Sequence, residues 1–461
     1  MNIKFRLTVM NFMQFFVWGA WLITIANYWF GTKQWDGTQF GAIFATMGFA
    51  SLFMPTITGI IADKWINAER LYALLHILYA GVLFYIPQVD NPGSFFWIML
   101  LAMCFYMPTI SLSNSISYTT LKSSSLDVIK DFPPIRVWGT VGFIAAMWIT
   151  NLSGSKANAY QFYIAGTAAL GLGLYAFSLP ACKPTNQIPE ESSLAQKLGL
   201  QAFKLFANYK IALFFIFSMF LGGALQLTNA YGDVFLDEFK HFPKYTESFV
   251  VKYSTIIMSI SQISETLFIL AIPFFLKHFG IKKVMVIAML AWVFRFGLFA
   301  YGDPAGNLWM IILSCVVYGM AFDFFNISGS LFVETSTNAK TRSSAQGLFM
   351  MMTNGFGAVF GSLVSGWMID KYFTLGFSNL NDTAKFLDTS PDNTRLLEFI
   401  KGQDVSITTD GLFSKIIYMK DWHHIWLSFT VYALAITVLF MLLFKHKHTR
   451  AEDKAIESIS H

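Results

Sequence analysis

The chain has 461 residues, 55% of them apolar, 17% aromatic and only 13% charged, with a mean hydropathy of +0.51. Soluble domains carry about a quarter charged residues, so soluble enzymes, nucleic-acid binders and disulfide-stapled secreted domains are excluded and lipid becomes the solvent for most of the chain. The net charge of +5 needs no anionic partner, because cytoplasmic loops of membrane proteins concentrate Lys and Arg.

Lys4 and Arg6 precede an apolar stretch to Phe30 that is longer than a signal-peptide core and lacks a small-residue cleavage site, so it reads as a first transmembrane helix. Counting it, twelve apolar runs follow one another near 6–30, 39–61, 71–88, 94–118, 133–153, 158–180, 209–236, 250–276, 283–301, 305–333, 344–372 and 422–444. Each is long enough to cross about 30 Å of hydrocarbon at about 1.5 Å per residue. Continuous runs exclude a β-barrel, whose strands alternate. Cys104, Cys182 and Cys315 are isolated, and no metal-ligand spacing exists.

Orientation follows from the short loops. On the N-terminal side stand Lys4, Arg6, Lys64, Arg70, Lys122, Lys130, Lys183, Lys197, Lys204, Lys277, Lys282, Lys283, Lys340 and Arg342, with Lys445, Lys447 and Arg450 in the tail. The opposite loops are sparse, so both termini are expected in the cytoplasm. The polar inner loop 181–208 divides the chain into an N-terminal six-helix bundle (1–180) and a C-terminal one (209–444), with an outer segment at 374–420 and a cytoplasmic tail at 445–461. Basic loops after the second and eighth helices echo one another. Six plus six helices with such an echo is the pattern of secondary transporters built from repeated halves.

Polar groups inside spans are costly and mark function by default. In the fifth span Arg136, Thr140 and Phe143 share one helical face; Asp131 reads as its N-cap, with Pro133 and Pro134 in the first turn. Gln226 and Asn229 are three apart in the seventh span, as are Gln262 and Glu265 in the eighth. The tenth carries Tyr318, Phe322 and Asn326 as a stripe with Asp323 beside it. Together they predict one wet cavity between the halves. Arg295, near the outer end of the ninth span, is expected to snorkel to the interface and is left out of the site. Gly355, Gly357, Gly361 and Gly366 of the eleventh read as close helix packing, and His423 and His424 as outer surface residues. Amides, carboxylates, one arginine and aromatic rings suit a neutral polyhydroxylated ligand with a flat face, a sugar or a nucleoside.

The stretches Phe132–Thr140, Phe214–Met219, Ile257–Phe268, Tyr318–Gly329 and Met350–Gly357 resemble those of the nucleoside:proton symporter family of the major facilitator superfamily, and the similarity covers nearly the whole chain. The resemblance implies an all-α polytopic fold of twelve transmembrane helices in two six-helix bundles, importing purine and pyrimidine nucleosides with protons across a bacterial inner membrane. It implies a substrate site of Arg136, Thr140, Phe143, Gln226, Asn229, Gln262, Glu265, Tyr318 and Phe322, with Asp323 essential. Proton coupling is expected of Asp323 and Glu265, with H⁺ the only coupling partner, no cofactor, no metal and a monomeric protein.

Two stretches depart from the pattern. The superfamily's loop signature after the second helix survives only as Gly59, Asp63, Lys64 and Arg70, and 374–420 is a long polar segment that suits an ordered cap or a solvated excursion equally. The rival readings are an oligosaccharide:proton symporter, a facilitative uniporter and a polytopic membrane enzyme. The last lacks any catalytic set inside a span, and a uniporter leaves Glu265 and Asp323 without a task.

Overall fold

The computed structural model describes residues 2–184, 200–337 and 342–446. Most of the inner linker and nearly all of the tail, with Lys197, Lys340, Lys447 and Arg450, lie outside the described residues.

Twelve helical segments follow one another among the described residues, and nine helices, one of them folded back at Gly280, are long and apolar enough to cross a membrane. The first six are α1 (Ile3–Gly19, continued by a π-helical turn Asn27–Thr32), α2 (Gly37–Lys64), α3 (Ala68–Tyr85), α4 (Pro92–Ser123), α5 (Val128–Leu152) and α6 (Tyr160–Ala176). After the linker come α7 (Tyr209–Glu238) and a helical stretch Ser254–Tyr301, which Gly280 divides into α8 (254–279) and α9 (281–301). Gly280 has a φ of 72°, so the chain reverses there in a conformation that side chains disfavour. The next crossing, α10, has two pieces, Leu308–Ala321 and Asp323–Ser336. The eleventh, α11 (342–373), contains π-helical turns at Met351–Gly357 and Ile369–Phe373.

Helix starts follow the local chemistry. Asp36 accepts from the Gln39 N–H at 2.8 Å, Asn91 from Ser94 at 3.1 Å with Pro92 in the first turn, and Asn208 from Lys210 and Ile211 at 3.1 and 3.3 Å. Each side-chain oxygen meets a backbone donor that a helix start leaves unpaired.

The outer segment is an ordered cap. Strand β1 (Thr374–Asn379) leads to α12 (Leu380–Phe386) and α13 (Thr394–Gly402), then to β2 (Leu412–Lys420), and the last crossing is α14 (Trp422–Leu443). The strands pair antiparallel, Thr374 opposite Lys420 and Phe377 opposite Ile417, with an irregularity before Asn379. Leu387, Leu396, Ile400 and Ile417 form a small core of their own, against which Phe242 packs from the turn after α7. Gln34 of the α1–α2 turn donates to Gln403 at 2.9 Å, and Arg395 and Lys244 pair with Glu247 and Asp388. The cap is thus tied to the outer loops of both bundles.

Candidate functional site

The bonds that join the two bundles gather at their outer ends. Asn27 donates to Asp233 at 2.5 Å, and Lys156 reaches Asp237 at 2.6 Å and Ser254 at 3.0 Å. Trp148 donates to the Ser259 hydroxyl at 2.9 Å, and Asn151 to the Lys252 carbonyl at 3.1 Å. The N–H groups of Gly37 and Thr38 both donate to Asp370 at 2.7 Å. Along α2 and α11 the backbones touch: a Cβ at Gly41 would stand 2.3 Å from the Ser362 carbonyl oxygen, and one at Gly366 would stand 2.5 Å from that of Gly37. Gly357 and Gly361 face α7 in the same way. These glycines therefore pack helices closely, as the sequence reading expected, and one set of them closes the outer interface.

Below this seal lie the predicted site residues. Helix α5 begins at Val128 rather than Pro133, so Asp131 is inside the first turn and is not an N-cap. The aspartate instead takes the Lys4 ammonium at 2.7 Å, fastening α5 to α1 at the cytoplasmic end. This earlier start puts Arg136 eight residues into the helix, about 12 Å at 1.5 Å per residue, where it needs no long inward reach. Its guanidinium lies 4.1 Å from the Phe15 ring centroid. Thr140 is half-buried one turn further, and Phe143 is buried edge-on against Trp18 at 6.2 Å.

Across the interface, Gln226 is buried and Asn229 half-buried on α7, and Gln262 and Glu265 are half-buried on α8. Tyr318 and Asp323 are buried on α10, with Phe322 at the joint between its two pieces. Interrupted helices are common where transporters bind substrate near the bilayer midplane. Glu265 and Asp323 are neighbouring carboxyl groups, and both interact electrostatically with Arg136 of the other bundle.

Close packing of α8 on α10 makes the pair possible. A Cβ at Gly319 would stand 2.5 Å from the Ser264 hydroxyl and 2.6 Å from its carbonyl. On α7, α8 and α10, Gln226 Oε1, Gln262 Oε1 and Asp323 Oδ2 have no hydrogen-bond partner among the described residues. Buried acceptors are normally satisfied, so this set is equipped for a ligand that brings donors.

Three residues escaped the sequence reading. Arg295 does not snorkel; it is fully buried in the second bundle, hydrogen-bonded to Thr228, Ser261 and the Ser314 carbonyl. Trp18 meets Phe143, and its indole N–H has no hydrogen-bond partner among the described residues. Trp292 stands edge-on to Tyr318 at 5.8 Å. The tryptophans had no signal in a chain of 13 such residues; the arginine did, as a charge inside an apolar run. His423 and His424 lie at the outer start of α14, on the Ala300 carbonyl and Asp421 respectively.

Comparison with known proteins identifies the family and the fold. The profile of the nucleoside H⁺ symporter family matches residues 1–387. The xanthosine permease of Escherichia coli (strain K12) is 47% identical over 449 residues, 97% of each chain, and the nucleoside permease NupG of the same organism is 43% identical over 463, all of each chain. The crystal structure of nucleoside transporter NupG superimposes with a TM-score of 0.81 at 44% identity, covering 97% of this chain and 100% of that one. A bacterial homolog of the human lysosomal transporter Spinster, in its inward-facing form, shares the fold at a TM-score of 0.64 and 12% identity, covering 98% and 97%. The chain belongs to the nucleoside H⁺ symporter family.

Proposed function

We propose that the chain imports purine and pyrimidine nucleosides together with protons across the bacterial inner membrane, by alternating access around the site between its bundles. The carboxyl pair Glu265–Asp323, set on one bundle and facing Arg136 on the other, is the observation that carries this reading. A proton held by the pair changes the charge that Arg136 meets across the interface. Loss of that proton to the cytoplasm therefore changes how the bundles attract one another, which couples proton movement to rocking.

In this reading Arg136, Thr140, Gln226, Asn229, Gln262 and Glu265 hydrogen-bond the ribose and the base edges, while Phe143, Tyr318 and Phe322 face the base. Stacking accepts any base, and amides turn to suit donors or acceptors, so purines and pyrimidines share one site. The halves 1–180 and 209–444, joined by 181–208, move as the two rocking units. With the outer side sealed by these bonds, this reading takes the conformation as an inward-facing one. The coupling ion is H⁺, no resident cofactor takes part, and the monomer is the transport unit. An oligosaccharide symporter is not favoured by the family match, although its chemistry overlaps.

Uptake in energised vesicles tests the reading. A proton-motive force of about 200 mV supplies roughly 4.6 kcal/mol per proton, enough for about a 2,000-fold gradient at 1.4 kcal/mol per decade. Uridine and adenosine should compete with one another, lactose and raffinose should not compete, and a protonophore should collapse accumulation. Uptake that ignores the protonophore and stops at equal concentrations overturns symport.

A further inference from the structure

We infer that Arg295 is a positioning residue of the substrate site, a buried cation that fixes the Tyr318 ring and ties together, from behind, the three helices that carry the second bundle's ligand groups. The inference rests on the site assignment proposed above, through Tyr318.

The geometry is specific. Arg295 lies fourteen residues into α9 and is fully buried, with no ion-pair partner among the described residues. Its Nε donates to Thr228 Oγ1 at 3.1 Å, and its Nη1 to Ser261 Oγ at 3.2 Å and to the Ser314 carbonyl at 2.9 Å. Ser314 returns a bond from its hydroxyl to the Arg295 carbonyl at 2.8 Å. Thr228 stands between Gln226 and Asn229 on α7, Ser261 precedes Gln262 on α8, and Ser314 is one turn before Tyr318 on α10. Successive helical residues point about 100° apart, so Thr228 and Ser261 turn away from the ligand-bearing positions next to them.

The guanidinium carbon also lies 4.5 Å from the Tyr318 ring centroid and 5.0 Å from that of Phe299. With Trp292 edge-on at 5.8 Å, the tyrosine is held by a cation on its face and an indole at its side. Packing alone does not require a cation. A methionine would fill the same space without the cost of burying a charge away from any carboxylate. What the planar fork supplies is directed donors to three helices at once, with a flat face left for an aromatic ring.

Two variants of Arg295 and two of its partners test this in purified protein, by uridine and adenosine binding beside thermal stability and gel filtration. Arg295→Met should weaken both nucleosides about 30-fold, and Arg295→Lys, which keeps the cation over the ring but loses the fork, should recover to within about fivefold of wild type. Thr228→Val and Ser261→Ala, which spare the arginine, should each cost about threefold in affinity with an unchanged melting temperature. The decisive arm is a double-mutant cycle: in a Tyr318→Leu background, Arg295→Met should add no more than about a tenfold further loss, the share of the Thr228 and Ser261 bonds, against about 30-fold with Tyr318 present. Full additivity in that cycle overturns the positioning role in favour of general bundle stability. So does wild-type affinity in Arg295→Met or, should that variant fail to fold, in both Thr228→Val and Ser261→Ala. Wild-type binding by Tyr318→Leu alone instead overturns the site assignment, and the role of Arg295 falls with it.

Discussion

The outer seal and the mid-membrane site are built from the same two bundles and use polar groups in opposite ways. At the seal the first bundle presents donors to acceptors on the second: Asn27 to Asp233, Lys156 to Asp237, Trp148 to Ser259, and the first N–H groups of α2 to Asp370. In the site the amide oxygens of Gln226 and Gln262 find no protein donor among the described residues, and Asp323 Oδ2 receives no amide, hydroxyl or cation. The difference teaches what each region is for. The gate closes through bonds made from one bundle to the other, even though Asn27 Oδ1 and Asp233 Oδ1 stay unbonded among the described residues, whereas the site leaves its amide oxygens for a ligand to complete.

The largest expected effect falls on the site. Asp323→Asn should retain nucleoside exchange but lose proton-driven accumulation, taking a gradient with a ceiling near 2,000-fold down to about one. Because Glu265 and Asp323 are neighbouring carboxyls that both face Arg136, the coupling is a property of the pair, and Glu265→Gln should impair accumulation as well. It should also weaken nucleosides more than free bases, which have no ribose. Accumulation ratios and counterflow rates measured side by side check this. An Asp323→Asn variant that still concentrates uridine would remove the pair from the coupling step.

Next comes the seal. With a Cβ at Gly41 only 2.3 Å from the Ser362 carbonyl oxygen, Gly41→Ile should prevent α2 and α11 from closing. Transport should then fall at least tenfold, a shift of about 1.4 kcal/mol or more, while nucleoside binding from the outside survives. Labelling of a cysteine placed at Thr255, buried on the outer part of α8, by an impermeant maleimide should speed up by a similar factor. Loss of external binding in that variant would mean that seal and site are not separable.

How much of this was legible in the sequence follows the same division. The crossings could be read because lipid demands long apolar runs, and their ends shift by only a few residues. Of the twelve, α1 and α6 gave the weakest signals, one broken by turns near its outer end and the other only 17 residues long. Site groups stood out as polar residues inside apolar runs; of these, Arg136 interacts with Glu265 and Asp323 of the other bundle, and Gln226 and Gln262 stand buried or half-buried on α7 and α8. Arg295 was misread because its partners lie 67, 34 and 19 residues away in sequence, and position along a helix says nothing of which neighbours supply oxygens. Asp131 was misread because two prolines seemed to mark a helix start, whereas α5 carries them within its second turn. The cap was undecidable, since its core is made by residues scattered over 384–419.

Weakening one ion pair of the seal should act in the same direction as Gly41→Ile but less strongly. Lys156 bridges from the first bundle to Asp237, whose other oxygen is held by Lys240 at 2.5 Å. Lys156→Met therefore leaves the carboxylate paired within its own bundle and avoids the penalty of a lone buried charge. Outer accessibility at Thr255→Cys should rise about threefold, about 0.7 kcal/mol, with substrate affinity unchanged from the inner side.

The smallest effect is expected where the cap meets the outer loops, and it serves to locate the pH sensitivity. Lys244 pairs with Asp388 at 2.6 Å between two exposed side chains, and its ammonium holds the Asp388 carboxyl below the usual carboxylate range. A depressed carboxyl pKa contributes stability above its unfolded value and loses it only as the pH falls through the lowered folded value. The pair is therefore intact at the mildly acidic outer pH that drives symport, and exposed pairs are weak in any case. Asp388→Asn should leave the pH profile of uptake unchanged within about a factor of two, whereas Asp323→Asn should flatten it. If instead the acid limb moved in Asp388→Asn and stayed in Asp323→Asn, proton sensing would belong to the cap, and the carboxyl pair in the membrane would be a ligand group alone.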